Sequence, residues 1–170
     1  ASRLGTSCLP VPGFLDYERS LKCWNGKYKL HELPKKWSNK NPQSLPNMPK
    51  AEVLWITNPH NPTGQLWSKK SLEKILQNYK LVICDEAFLS ITPEGEKESL
   101  IPLVKKVDNL VVIRSLTKLF SIPGLRLGYI VGPSKLLKQF GKKRDPWPLN
   151  SFAIKAGITL LKDQKAYRVW

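Results

Sequence analysis

Three short segments of this sequence carry side chains that could do chemistry, and each directly follows an apolar run. Residues 58–64 read Asn-Pro-His-Asn-Pro-Thr-Gly, residues 85–88 read Asp-Glu-Ala-Phe, and residues 115–118 read Ser-Leu-Thr-Lys. They supply an amide, a carboxylate and an amine. Taken singly, each has an ordinary structural explanation, because Asn-Pro pairs form turns and an Asp after a strand commonly caps the next helix. Their meaning depends on whether the fold brings them together.

The elements that precede these segments are typical of strands in one buried sheet. Residues 53–57, 81–84 and 110–113 are short apolar runs without alternation, as expected of strands covered on both faces. Ser68 can cap a helix between the first two strands, and Pro102 begins or disturbs a second crossover. This order predicts a parallel sheet, and ligands collect beyond the carboxyl ends of such strands. We therefore expect the three segments to converge.

Weaker patterns predict further elements on either side of this region. With 170 residues, of which 41% are hydrophobic, the chain is long enough for one substantial core and is expected to form one domain. The additional predictions are a helix at 17–24, a strand at 28–33, an exposed proline-rich loop at 34–49, a strand at 125–131, and helices at 134–140 and 153–161.

The composition is strongly basic, with 28 Lys and Arg against 13 Asp and Glu and a formal charge of +15. Such a charge favours contact with nucleic acid, anionic membranes or phosphorylated substrates, but it identifies none of them. The lysines are scattered, and only residues 135–144 concentrate them, which we interpret as a solvated helix face and loop.

Cysteine, histidine and apolar patterns narrow the class of protein. The three cysteines form no CxxC pair and the two histidines lie far apart, so no zinc site is predicted and reduced thiols are expected. No apolar stretch approaches the roughly 18 residues of a membrane-spanning helix, and the first residues lack the apolar core of a secretion signal. These features predict a soluble cytoplasmic protein without a metal site.

In this order, the segments resemble the signature of fold-type-I pyridoxal-phosphate enzymes, the group that includes the class I and II aminotransferases. The matching motifs are NPxNPTG at 58–64, DEA at 85–87, SxxK at 115–118 and Ile-Pro-Gly-Leu-Arg-Leu-Gly-Tyr at 122–129. The resemblance extends over residues 12–150. It implies an α/β fold, the three-layer large domain of such transferases, with a mostly parallel sheet.

The resemblance implies that pyridoxal 5'-phosphate is the cofactor and that Lys118 and Asp85 are the catalytic residues. The lysine matching Lys118 holds the cofactor as a Schiff base and moves protons at the substrate Cα. Lysine suits both tasks because its pKa falls readily when it is desolvated or placed beside other cations. The match makes Asp85 the partner of the pyridine nitrogen, where a carboxylate keeps the ring protonated and able to accept electrons.

Five further residues match cofactor contacts of the family. Asn61 matches the donor to the phenolic oxygen, and Ser115 and Arg126 match the phosphate anchors, in keeping with the affinity of a guanidinium for phosphate. Phe14 matches the ring stacked on the pyridine, although a core phenylalanine is an equal alternative. Phe88 stands where many relatives have tyrosine, so one hydrogen bond to the cofactor of roughly 0.5–1.5 kcal/mol is lost. We assign no role to the histidine at position 60.

The motifs are most similar to threonine-phosphate decarboxylases of cobalamin synthesis and are close to histidinol-phosphate aminotransferases. Decarboxylation and transamination diverge according to which Cα bond lies perpendicular to the cofactor plane, so substrate pose decides between them. A lyase or synthase of the same fold acting on another amino acid stays open. An alternative of another class is a non-catalytic basic module that binds nucleic acid through its charge.

Relatives of this kind run to roughly twice this length, in line with enzymes of two domains. We therefore expect residues 1–170 to be a single domain, part of the cofactor-binding large domain, with the small C-terminal domain and an N-terminal segment absent. Such a fragment is expected to be weakly active or inactive alone. The expected partners are a small amino-acid substrate and, in the full-length form, a second identical subunit, with no specific nucleic acid and no membrane.

Overall fold

Six strands of the chain pair into one mixed sheet. The computed structural model describes residues 1–38, 40–93 and 95–163. The strands are β1 (Ser7–Val11), β2 (Tyr28–Glu32), β3 (Val53–Thr57), β4 (Leu81–Asp85), β5 (Leu110–Ser115) and β6 (Gly128–Val131). Their order across the sheet is β2-β1-β3-β4-β5-β6. All neighbours are parallel except β6, which runs antiparallel to β5, so the mostly parallel sheet predicted from the sequence is confirmed.

Five α-helices and several short 3-10 turns connect these strands in the described part of the chain. The helices are α1 (Leu15–Cys23), α2 (Lys69–Ile75), α3 (Leu116–Leu119), α4 (Ser134–Gly141) and α5 (Ser151–Lys162). The predicted cap of α2 is present, since the Ser71 N–H donates to the Ser68 hydroxyl at 3.3 Å. The crossover before β5 is a 3-10 helix, Ile101–Lys105, with Pro102 near its start, where a missing N–H does no harm.

The sheet is covered on both faces, because successive side chains of a strand point in opposite directions. On one face, Leu54, Val82 and Val112 belong to a buried cluster that also contains Leu72 of α2. On the other face, a second cluster combines neighbouring strand residues with Leu136 and Phe140 of α4. The strand members of that cluster are Val53, Leu81, Ile83 and Val111. Helix, sheet and helix therefore form three layers, as expected.

The structure differs from the sequence predictions at several places. Strand β1 was not predicted, and it occupies an interior position between β2 and β3. The strand predicted from residue 125 begins at Gly128, because Pro123–Leu125 form a 3-10 turn. The loop predicted to be exposed over residues 34–49 is partly buried, since its Trp37 and Met48 pack against the core. Helix α1 also begins two residues before the predicted start.

Three properties of the described residues bear on the class of protein. Within residues 1–38, 40–93 and 95–163, no helix has the length and apolar character needed to cross a membrane. All three cysteines are free thiols. The same ranges contain no group of three or more His, Cys, Asp and Glu side chains arranged to hold a metal ion.

Candidate functional site

One edge of the sheet gathers every residue that the sequence predicts for the site, and we call it the carboxyl edge. Strands β1, β3, β4 and β5 end there, and β6 begins there because it is antiparallel. The register pairs Thr57 with Asp85 and Ser115 with Gly128. Phe14 follows β1, Asn61 follows β3, Asp85 ends β4 and precedes Phe88, Ser115 ends β5 and precedes Lys118, and Arg126 precedes β6.

Two donors hold the Asp85 carboxylate at this edge. The Ala87 N–H donates to Oδ1 at 2.9 Å, and the Tyr17 hydroxyl donates to Oδ2 at 2.5 Å. The Tyr17 oxygen also lies 3.4 Å from the hydroxyl of Thr57. Burial raises the pKa of Tyr17 well above its ordinary value, and the Asp85 charge raises it further, so the phenol stays protonated. A carboxylate has about four lone-pair sites, so Asp85 keeps capacity for a ligand.

Tyr17 is a site residue that the sequence analysis did not identify. Its contact with Asp85 spans 68 residues of sequence. The contact depends on the position of β1 beside β3, and β1 was itself not predicted. The only sequence signal is its place three residues after Phe14, in the first turn of α1. Because the Tyr17 hydroxyl donates to the carboxylate, we assign it a positioning role toward Asp85.

Phe14 lies at the surface of the edge and not in the core. Its side chain is 43% exposed, which rules out the alternative of a core phenylalanine. Its ring meets the Tyr17 ring edge-to-face, with 5.3 Å between centroids and 76° between planes. Both rings, together with Thr57 and His60, line a cavity of about 180 Å³. An exposed aromatic ring anchored in this way can accept a flat ligand on its face.

Phe88 lies close to Lys118 and lines a cavity that Asn61 also lines. Lys118 belongs to α3, and its amine is exposed and lies 5.5 Å from the centroid of the Phe88 ring. This is the distance of a cation–π contact, worth about 0.5–1 kcal/mol at an exposed position. Phe88 and Asn61 both line a second cavity of about 330 Å³. The exposed Lys118 and the predicted amide donor Asn61 thus both lie near Phe88.

The two predicted phosphate anchors lie on the hairpin formed by β5 and β6 and bond to local partners. The Ser115 hydroxyl lies 2.7 Å from that of Thr117 and accepts the Thr117 N–H at 3.3 Å, which caps α3. The exposed Arg126 has a left-handed backbone with φ of 51°, and its guanidinium donates to the Pro123 carbonyl at 3.3 Å. This backbone conformation is uncommon for a residue with a side chain and clusters at functional sites.

A buried ion pair lies next to the site and was also missed by the sequence analysis. Glu86 is 1% exposed and Arg114 is 4% exposed, and Arg114 Nε donates to Glu86 Oε2 at 2.9 Å. The Ser99 hydroxyl and the Leu100 N–H donate to the same carboxylate at 2.9 and 2.7 Å. Arg114 also bonds to Glu96 at 2.6 Å. The pair joins the ends of β4 and β5, where Glu86 follows Asp85 and Arg114 precedes Ser115.

The chain matches a known protein family over almost its whole length. The matching family is aminotransferase class I and II, over residues 12–169. A protein of Caldanaerobacter subterraneus subsp. tengcongensis, provisionally named threonine-phosphate decarboxylase, is 34% identical over 97% of this chain and 47% of its own length. The histidinol-phosphate aminotransferase of Methanosarcina barkeri is 34% identical over 91% of this chain and 42% of its own length. The chain thus spans less than half of each relative.

A solved structure agrees with the sequence comparison. The histidinol-phosphate aminotransferase from Clostridium acetobutylicum superposes with a TM-score of 0.81 at 27% identity, covering 96% of this chain and 50% of that chain. The predicted fold class, an α/β large domain with a mostly parallel sheet, is therefore confirmed.

Proposed function

Because this chain belongs to the class I and II aminotransferase family, we propose that its carboxyl edge binds pyridoxal 5'-phosphate and that Lys118 attaches to it covalently. Pyridoxal 5'-phosphate is the cofactor of this family. The observation that carries the proposal is the convergence on one edge of an exposed amine, a carboxylate with spare acceptor sites, an amide and a guanidinium. Each group matches in charge and hydrogen bonding one part of that cofactor.

Asp85 is the proposed partner of the pyridine nitrogen. Two unit charges about 4 Å apart at an effective dielectric near 20 attract by roughly 4 kcal/mol, or about three pKa units, before desolvation is subtracted. Tyr17 and the Ala87 N–H fix the direction of the carboxylate, which favours a short contact with the protonated ring nitrogen. A carboxylate held in this way keeps a proton on the ring at neutral pH.

The remaining residues are proposed to orient the cofactor and move one proton. Phe14 stacks on the ring, Asn61 donates to the phenolic oxygen, and Ser115 and Arg126 bind the phosphate. When bound, pyridoxal phosphate supplies an electron sink for a bond broken at the substrate Cα. The amine of Lys118, which is exposed at the edge, then carries a proton to or from that carbon.

We propose a phosphorylated amino acid as substrate, with decarboxylation of threonine phosphate as the first candidate and transamination of histidinol phosphate as the second. The names of the two relatives both refer to phosphorylated compounds, and the identities are equal at 34%. A formal charge of +15 favours the approach of such anions. The full-length form is further proposed to be a cytoplasmic homodimer, and its sedimentation tests the dimer.

The cofactor proposal is tested by absorbance spectroscopy. The purified chain is incubated with pyridoxal phosphate, dialysed and reduced with borohydride, and the labelled peptide is identified by mass spectrometry. We expect a retained visible band and a label on Lys118 that Lys118→Ala abolishes. Lys138→Ala, which changes an exposed lysine of α4, is the matched control and should keep the band. A label distributed over many lysines, or a band retained in Lys118→Ala, contradicts the assignment.

The substrate proposal needs a measurement of products. Threonine phosphate and histidinol phosphate are supplied separately to the cofactor-loaded protein, at a protein concentration high enough to detect the weak activity expected of residues 1–170 alone, and carbon dioxide release and amino-group transfer are followed in parallel. Carbon dioxide from threonine phosphate supports the first candidate, and transfer from histidinol phosphate supports the second. Equal rates with unphosphorylated amino acids would contradict the expected preference for phosphorylated substrates.

A further inference from the structure

His60 lies inside the turn that carries Asn61 and has no part in the proposed function. Its side chain is 4% exposed, and its ring centroid lies 5.9 Å from that of the buried Trp67. Its own backbone closes the turn, since its N–H donates to the Gln65 carbonyl and its carbonyl accepts the Gly64 N–H, both at 2.7 Å. The backbone of His60 is therefore held firmly within the turn that carries Asn61.

The His60 side chain reaches across to the segment that carries Phe14. Its Nε2 lies 2.7 Å from the carbonyl oxygen of Pro12, 48 residues away in sequence. A carbonyl oxygen only accepts hydrogen bonds, so Nε2 carries the hydrogen. Between Pro12 and Phe14 stands Gly13, where a Cβ would lie 2.4 Å from the Pro10 carbonyl oxygen. The backbone that leads to Phe14 is thus held closely against β1.

We propose that His60 is a positioning residue for the cofactor site, which sets the stacking ring of Phe14 relative to the amide of Asn61. The inference rests on the proposed function. A flat cofactor is contacted by Phe14 on its face and by Asn61 at its edge, and these two residues lie on separate segments. In the part of the chain that the structure describes, the hydrogen bond from His60 to Pro12 joins these two segments. It therefore fixes the distance between the ring of Phe14 and the amide of Asn61.

The simpler explanation is that His60 only fills space against Trp67. The two explanations differ in how a change at His60 combines with a change at Phe14. If His60 acts through Phe14, its removal has no further effect on cofactor binding once the Phe14 ring is gone. If it only packs, the two losses add.

The test measures binding of pyridoxal phosphate and of deoxypyridoxine phosphate, an analogue that lacks the aldehyde and cannot react with Lys118. We expect His60→Leu to weaken both by about two- to tenfold, the equivalent of one neutral hydrogen bond. His60→Gln keeps a donor and should recover most of the affinity. His31→Gln, on strand β2, is the matched control, because the chain has only these two histidines. In a Phe14→Leu background, His60→Leu should change nothing further.

A second measurement, made without cofactor, separates failure of this inference from failure of the proposed function. With labelled phenylalanine, the NMR signals of the Phe14 ring should shift in His60→Leu and return in His60→Gln. If those signals shift but the chain binds no cofactor, the proposed function fails and the coupling stands. Unchanged Phe14 signals, wild-type affinity in His60→Leu, or additive losses in the double variant each overturn the coupling.

Discussion

Asp85 and Glu86 are consecutive carboxylates at the end of the same strand, yet their surroundings differ completely. Glu86 is 1% exposed, and Arg114, Ser99 and Leu100 fill its acceptor sites. Asp85 is half-buried and has two donors, one of them the Tyr17 hydroxyl. Because successive side chains along a strand point in opposite directions, the Glu86 side chain lies in the interior and the Asp85 side chain lies at the carboxyl edge. Saturation by protein donors thus separates a structural acid from one that can take a ligand.

The largest effect on stability should come from breaking the buried ion pair of Glu86 and Arg114. Arg114→Met leaves Glu86 without its cation in the interior and should lower the free energy of unfolding by about 3–5 kcal/mol. Urea denaturation followed by circular dichroism measures this loss. Arg126→Met, at an exposed arginine of the same hairpin, is the control and should leave stability nearly unchanged. A small loss with Arg114→Met would mean that Glu86 tolerates the pocket alone.

Removing the charge of Asp85 should weaken cofactor binding rather than destabilise the fold. Asp85→Asn keeps an acceptor for the Ala87 N–H but loses the attraction to a protonated ring, so pyridoxal phosphate should bind at least about tenfold more weakly, roughly 1.4 kcal/mol. Titration by absorbance gives the affinity. Asp16→Asn, at an exposed aspartate of α1, should bind as the wild type does. Unaltered affinity in Asp85→Asn would exclude the pairing of Asp85 with the ring nitrogen.

A smaller effect is expected when only the positioning of Asp85 is disturbed. Tyr17→Phe removes one hydrogen bond to the carboxylate and should weaken cofactor binding by about 0.5–1.5 kcal/mol. Tyr28→Phe is a close control, because the Tyr28 hydroxyl also donates to a carboxylate, that of Glu18 at 2.7 Å. That carboxylate has no part in the proposed site. Equal effects of the two substitutions would mean that Tyr17 has no specific role.

The smallest effect is a dependence of stability on pH that arises from His60. Burial lowers the pKa of His60 from its ordinary value of 6.5, and the bond to Pro12 opposes this only in part. The unfolded chain then binds the proton more readily than the folded chain, so stability is complete above pH 6.5 and falls as the pH falls through the lower folded value. Urea midpoints measured from neutral to mildly acidic pH should show this decline. His60→Gln should remove that part of it, whereas a pH profile identical to the wild type would contradict the lowered pKa.

The sequence predicted the fold where local patterns were strong and failed where distant contacts decide. The apolar runs of β3, β4 and β5 predict strands because both faces of each are buried. Strand β1 carries Pro10 and begins with a serine, so its pattern is weak, and only its pairing with β2 and β3 makes it a strand. The roles of Tyr17 and Arg114 depend on partners that no local pattern identifies. The residues predicted for cofactor binding stay a prediction, although the structure places them on one edge.

The antiparallel hairpin of β5 and β6 has a consequence for how this edge can vary. Ser115 ends β5, Lys118 lies in α3, and Arg126 stands just before β6, so residues 119–125 separate the amine from the guanidinium. The pairing of Ser115 with Gly128 holds the two ends of the connection between β5 and β6 together. A residue inserted or deleted between Lys118 and Arg126 would change the spacing of the amine and the guanidinium. We therefore expect insertions to be tolerated elsewhere on the carboxyl edge before they are tolerated between these two residues.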